Sequence, residues 1–191
     1  MISMRIRSRG FTLLELMVVL AITGILTAMA VPSFSRLIQS NTVSNTTSTL
    51  LADLRYARSE AIRRGGTVVM CRSDVPEAVK PVCSASSGGA NGRGWAEGWI
   101  LFQDWNGNSV LDADEPLLRV QSRIAAIDAI VEAGESATAF RFAATGRLPA
   151  TTAELRVGGN AFASGVQRLV CVDLGGRARV ASATALDCAE P

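Results

Sequence analysis

Between Phe11 and Val31 the chain runs 21 residues with Glu15 as the only charge. At about 1.5 Å per helical residue, such a run matches the roughly 30 Å hydrocarbon core of a bilayer. Arg5, Arg7 and Arg9 stand just before it. Arginine beside a span stays cytoplasmic, so the rest of the chain is expected to face the periplasm or the outside. A secretory signal has a similar outline, and Ala28-Met29-Ala30 ahead of Val31 resembles a small-residue cleavage site. Glu15 argues against that reading. A carboxylate at the centre of an apolar span costs about 2.5–3.5 kcal/mol on insertion scales, and such a residue marks function with a partner charge.

The junction itself carries a resemblance. Gly10-Phe11-Thr12-Leu13-Leu14-Glu15-Leu16, with Pro32 near the end of the apolar run, resembles the prepilin peptidase site of type IV pilins and type II secretion pseudopilins. The likeness implies cleavage between Gly10 and Phe11, N-methylation of Phe11, and pairing of Glu15 with the N-terminal amine of a neighbouring subunit in a fibre. It would give the buried carboxylate the countercharge that burial demands. The implied partners are other pilins or pseudopilins, the inner-membrane assembly machinery, the peptidase and, through residues 11–31, the membrane. The precursor is expected to be single-pass in the inner membrane with its C-terminal domain periplasmic.

The expected organisation is a leader over 1–10, a helix over 11–64 and a β domain over 65–191. A kink is expected at Pro32. Beyond it Phe34, Leu37, Ile38, Leu50, Leu51, Leu54, Ala57, Ala61 and Ile62 recur at helical spacing, which predicts one face packed on a sheet. Arg55, Arg58, Arg63 and Arg64 fall elsewhere and read as a solvated face. Gln39 to Thr49 is rich in Ser, Thr and Asn, so the helix is expected to loosen there. Gly65-Gly66 should end it. Then come seven short β-rich runs, 67–71, 99–102, 117–120, 139–142, 154–157, 168–172 and 177–180, punctuated by Gly, Asn and Ser. Ser84 to Gly94 reads as a surface loop.

Composition narrows the function. The 191 residues contain no histidine, which removes the commonest general base and metal ligand. No nucleophile–base set appears, so an enzyme is not expected, and no cofactor is implied. Cleavage after Gly10 would remove three of 19 basic side chains, leaving 16 against 17 acidic ones. Binding to nucleic acid would therefore need a local patch. Cys71, Cys83, Cys171 and Cys188 lie in the part expected to be exported, where thiols are oxidised. Three pairings are open; the sequence-local one, Cys71 with Cys83 and Cys171 with Cys188, is preferred. A zinc site finds no CxxC spacing to support it.

Gly94-Trp95-Ala96-Glu97-Gly98-Trp99-Ile100-Leu101-Phe102, followed by Asp104 through Arg119, resembles GspH/FimT-type minor pilins and pseudopilins. That likeness implies an α+β fold, a long N-terminal helix packed on a two-sheet antiparallel β domain. Within the stretch Asp104, Asn106, Asn108, Asp112 and Glu115 have an EF-hand-like spacing of oxygen ligands suited to Ca²⁺. The glycine, however, is fourth rather than sixth, and Asx-rich turns between strands have the same composition for backbone reasons.

Near the C-terminus, Gly175-Gly176-Arg177-Ala178-Arg179 places two arginines on one face of an extended segment, about 7 Å apart, the spacing of adjacent phosphates. The element resembles the Gly-Arg-x-Arg sequence associated with DNA binding in FimT-type minor pilins of naturally transformable bacteria, which implies roles for Gly176, Arg177 and Arg179. Gly146-Arg147 repeats the dipeptide without the second arginine. Arg141, Arg147, Arg156 and Arg168 would widen the patch if the fold brought them to it. The expectation is a FimT-like DNA-uptake subunit; the alternative is a purely structural priming subunit of a type IV pilus or type II secretion pseudopilus.

Overall fold

The computed structural model describes residues 12–85, 92–133, 138–149, 153–181 and 188, without the side chains of 29–33 and 133. Gly10, Phe11 and residues 86–91 of the Ser84–Gly94 loop lie outside the described residues, as does the Pro32 ring at the expected kink. The chain divides into two compact units, Met1–Ile38 and Gln39–Pro191.

Helix α1 is Leu13–Arg64. Its start is written in the motif itself. Thr12 Oγ1 accepts the Glu15 N–H at 3.2 Å, the first half of a Thr-x-x-Glu capping box, and Glu15 in the first turn faces the positive end of the helix dipole. In the first unit Leu13, Leu14, Leu16, Met17, Ile25, Leu26, Phe34 and Leu37 are all more than half exposed. Among the described residues no helix is long and apolar enough to cross a membrane; the described side chains of the expected span stop at Ala28.

The second unit begins with helix residues 39–64. The loosening expected over Gln39–Thr49 does not occur, because packing overrides propensity: Val43, Thr46, Thr47 and Leu50 are buried. On the solvent side Ser48 and Thr49 hydroxyls bond back to the carbonyls of Ser44 and Asn45, which satisfies them without opening the turn. The helix closes in a Schellman motif, with Gly66 N donating to Ala61 O, Gly65 N to Ile62 O, and Gly65 at φ 64°.

Eight strands follow: β1 Thr67–Arg72, β2 Trp99–Asp104, β3 Leu117–Gln121, β4 Ala129–Ala133, β5 Ala139–Phe142, β6 Ala153–Gly158, β7 Arg168–Val172 and β8 Ala178–Ala181. They form two antiparallel four-stranded sheets, in the orders β3-β2-β1-β5 and β4-β6-β7-β8. All seven β-rich runs are strands. The eighth, β4, has the sequence AIVEA and sits among alanines that favour helix; it is a strand because it pairs along its whole length with β6.

Val68, Met70 and Phe140 face inward with Leu50, Leu54 and Ala57 of α1 and with Leu155, Val157 and Val170 of the second sheet. Alternate residues of β1 and β2, Val69, Cys71, Ile100 and Phe102, form a second buried layer on the outer face. Burial on both faces explains why these strands read as unbroken apolar runs. Among the described residues all three buried clusters lie between Val43 and Cys188, inside the second unit.

Two polar groups tie the layers. Asp53 of α1, 2% exposed, accepts Trp99 Nε1 at 2.8 Å and pairs with Arg119, whose guanidinium lies 4.4 Å from the Tyr56 ring centre. Arg72, fully buried, reaches across the sheets to Glu132 at 3.1 Å, and Trp95 Nε1 bonds the same Glu132 oxygen at 3.0 Å. The disulfides are Cys71–Cys83 and Cys171–Cys188.

Candidate functional site

The C-terminal arginines stand on a turn built by one aspartate. Asp173 O accepts Gly176 N at 2.8 Å, Asp173 N donates to Arg177 O at 3.1 Å, and Asp173 Oδ1 accepts Arg177 N at 2.9 Å. This Asx-capped turn joins β7 to β8. Gly176 adopts φ 72°, and a Cβ there would lie 2.0 Å from the carbonyl oxygen of Gly146. Glycine is required for both reasons.

Beyond the turn Arg177 and Arg179 are exposed while Ala178 between them is buried, so the two guanidiniums leave the same face. Arg177 stands just before β8 rather than inside it. β8 is the edge strand of its sheet, and Arg179 pairs with Cys171 of β7. Arg179 Nη2 donates to Cys188 O at 2.5 Å, so the Cys171–Cys188 bridge brings a carbonyl to the arginine and fixes its direction. Cys188 N in turn donates to Glu154 Oε1 at 2.8 Å.

The second Gly-Arg pair comes to the same place. Gly146 N donates to Ala143 O, Ala143 N to Arg147 O and Leu148 N to Leu174 O, which lays the β5–β6 turn against the β7–β8 turn. Gly146 is buried and Arg147 exposed beside it. From α1, Arg58 Nε donates to Gly146 O at 3.2 Å. Arg55, Arg58, Ser59 and Ile62 of the helix then face Gly176, Arg177 and Ala178 across an open groove of about 360 Å³. None of the ion pairs among the described residues involves Arg55, Arg58, Arg147, Arg177 or Arg179.

Of the other arginines expected to widen the patch, Arg156 is half-buried in β6 and has a partner, and two more bond carbonyls near them. Arg141 Nη2 donates to Gly107 O at 2.8 Å and stands 4.0 Å from Asp104, and Arg168 Nη1 bonds the carbonyls of Val166 and Gln167. In the sequence Arg55 and Arg58 read only as part of a solvated helix face. Their spacing, three apart on a helix, is visible in the chain, but nothing local shows that a turn more than a hundred residues later packs against them.

In the Asp104–Glu115 loop the Asp104, Asp112 and Glu115 carboxylates accept hydrogen bonds from the loop's own backbone and side-chain amides. Asp104 accepts Gly107 N and Ser109 N, Glu115 accepts Trp105 N and Asp112 N, and Asp112 Oδ2 takes the amides of Asn106 and Asn108. These bonds account for the Asx composition without a cation.

Residues 46–176 match the family model of the type II transport protein GspH, and residues 5–31 match the prokaryotic N-terminal methylation motif. No curated protein matches the chain. The fold is similar to two crystal forms of the type IV minor pilin FimU of Pseudomonas aeruginosa strain PAO1. In the first the identity is 18%, the match covers 76% of this chain and 92% of FimU, and the TM-score is 0.56. In the second the identity is 18%, the coverage 74% and 94%, and the TM-score 0.51. With more than half its length in that family model and the methylation motif ahead of it, the chain belongs to the GspH family and is a minor pilin or pseudopilin.

Proposed function

We propose that this protein is a minor pilin of a type IV pilus that takes part in DNA uptake by holding the phosphate backbone with Arg177 and Arg179. In this reading the precursor sits in the inner membrane through residues 11–31 with its β domain in the periplasm. Prepilin peptidase cuts between Gly10 and Phe11, Phe11 is N-methylated, and Glu15 meets the terminal amine of a neighbouring subunit. Supporting assembly are the exposed apolar side chains between Leu13 and Leu26 and those of Phe34, Leu37 and Ile38, with no ion pair to Glu15 among the described residues. An unpaired carboxylate in an apolar fibre core needs such a partner.

The observation that carries the DNA reading is the exposed pair Arg177 and Arg179, in no ion pair among the described residues, on a turn fixed by Asp173, Gly176 and the Cys171–Cys188 bridge. No aromatic side chain is interleaved with the two, so the contact expected is to backbone phosphate, tolerant of sequence and sensitive to salt.

The test is a mobility-shift titration of the fragment Gln39–Pro191, which contains these buried clusters, against duplex DNA at low and moderate salt, beside Arg177→Ala/Arg179→Ala. Salt-sensitive binding lost by a folded double variant supports the site. Absent binding, or binding unchanged in the variant, discards it and leaves a purely structural priming subunit of a pilus or pseudopilus.

A further inference from the structure

We infer that Arg55 and Arg58 of α1 belong to the same phosphate-binding surface, so that a nucleic-acid strand lies in the groove between the helix and the β7–β8 turn, with Arg177 shared between the two walls. The inference rests on the DNA-binding reading above and specifies where the strand runs.

Its first support is electrostatic. Arg55 and Arg58, three apart on one helix face, repel each other, and Arg177 across the groove adds to the repulsion. The nearest acidic group on the turn, Asp173, is engaged by the Arg177 backbone N–H. Elsewhere the carboxylates of the helix neutralise arginines: Glu60 bonds both Arg63 and Arg64, and Asp53 pairs with Arg119 of β3. The groove is left as a local excess of positive charge on a chain that is otherwise nearly balanced.

Preorganisation is the second support. Arg58 Nε is held by Gly146 O, which leaves its two terminal nitrogens for another acceptor. Arg55 is exposed at the groove wall. The space between the walls is lined by Ile62 and Ala178, apolar groups suited to a sugar beneath phosphates rather than to a hydrogen-bonded base. Such a site reads backbone, whatever the sequence.

The experiment is a fluorescence-anisotropy titration of Gln39–Pro191 with a labelled duplex across salt concentrations. The variants are Arg55→Gln, Arg55→Gln/Arg58→Gln and Arg177→Gln/Arg179→Gln. Arg123→Gln serves as control, since it removes equal charge beside Glu97, away from the groove. Removing one arginine from a phosphate makes the slope of log K against log salt shallower by about 0.9, so Arg55→Gln should reduce it by about 1 and the helix double variant by about 2. Arg123→Gln should leave it unchanged. The Arg55 side chain makes no hydrogen bond or ion pair among the described residues, so its single variant keeps the test valid should breaking the Arg58–Gly146 bond disturb the turn.

Unchanged slope and affinity in both helix variants, beside weakened binding in the Arg177/Arg179 variant, would overturn the groove and keep the hairpin site. Weakened binding in the helix variants alone would overturn the shared surface. No binding by the unaltered fragment would overturn the groove together with the reading beneath it.

Discussion

The carbonyl oxygen of Gly146 lies 2.0 Å from where a Cβ on Gly176 would stand, and Arg58 Nε bonds that same oxygen at 3.2 Å. Two turns from different strand connections and one helix thus converge on a single backbone atom. Gly176→Ala would place a methyl group into this contact at φ 72°, a backbone strain of order 1–3 kcal/mol before the clash is counted. We expect the variant to lose at least that much stability by urea unfolding and to bind DNA less well than the unaltered chain. Equal stability would mean that the turns separate freely.

Asp53 holds the helix to the first sheet through Trp99 Nε1 and Arg119. In Asp53→Ala the buried indole N–H loses its acceptor while the exposed Arg119 guanidinium turns to water, and we expect destabilisation of about 1–3 kcal/mol. Asp53→Asn keeps an acceptor for the indole and should lose less. Trp99 gives the experiment its own probe: its emission should change in the alanine variant before global unfolding.

Removal of the second disulfide should act on stability and site together. Cys171→Ser/Cys188→Ser opens a loop of sequence separation 17, for which chain entropy predicts a loss of about 3 kcal/mol. It also frees the Cys188 carbonyl that directs Arg179. Compared at a temperature where both forms are folded, the variant should bind duplex DNA more weakly. Cys71→Ser/Cys83→Ser, which acts on the other sheet, should lower the melting temperature and leave the affinity alone.

Among the described residues Glu60 is the acid whose titration is displaced by its partners. Hydrogen bonds from Arg63 and then Arg64 pull its pKa from 4.5 down to about 2, against the opposing effect of burial. A carboxylate lowered on folding adds stability that is complete above pH 4.5 and disappears as pH falls toward 2. Because Arg63 is mostly exposed, the pair is worth only about 0.5 kcal/mol, and less at high salt. Urea midpoints should therefore fall less between pH 5 and pH 3 in Glu60→Gln than in the unaltered protein, and equal falls would exclude this linkage.

Sequence alone determined the local features, because each depends on residues within one or two turns of chain. The Thr12–Glu15 start of the helix, its end at Gly65-Gly66, the seven β-rich runs and the Gly176 turn are all of this kind. The methylation motif and the GspH likeness are also read directly along the chain. Tertiary structure decided whatever depended on long-range packing. It kept Gln39–Thr49 helical by burying Val43, Thr46 and Thr47, and made Ala129–Ala133 a strand by pairing it with β6. It also sorted the arginines. Arg141 and Arg168 bond nearby carbonyls, while Arg55, Arg58 and Arg147 join Arg177 around one pair of glycine turns. A side chain's charge is written in the sequence, but whether a carboxylate stands next to it depends on which distant segments the core brings together.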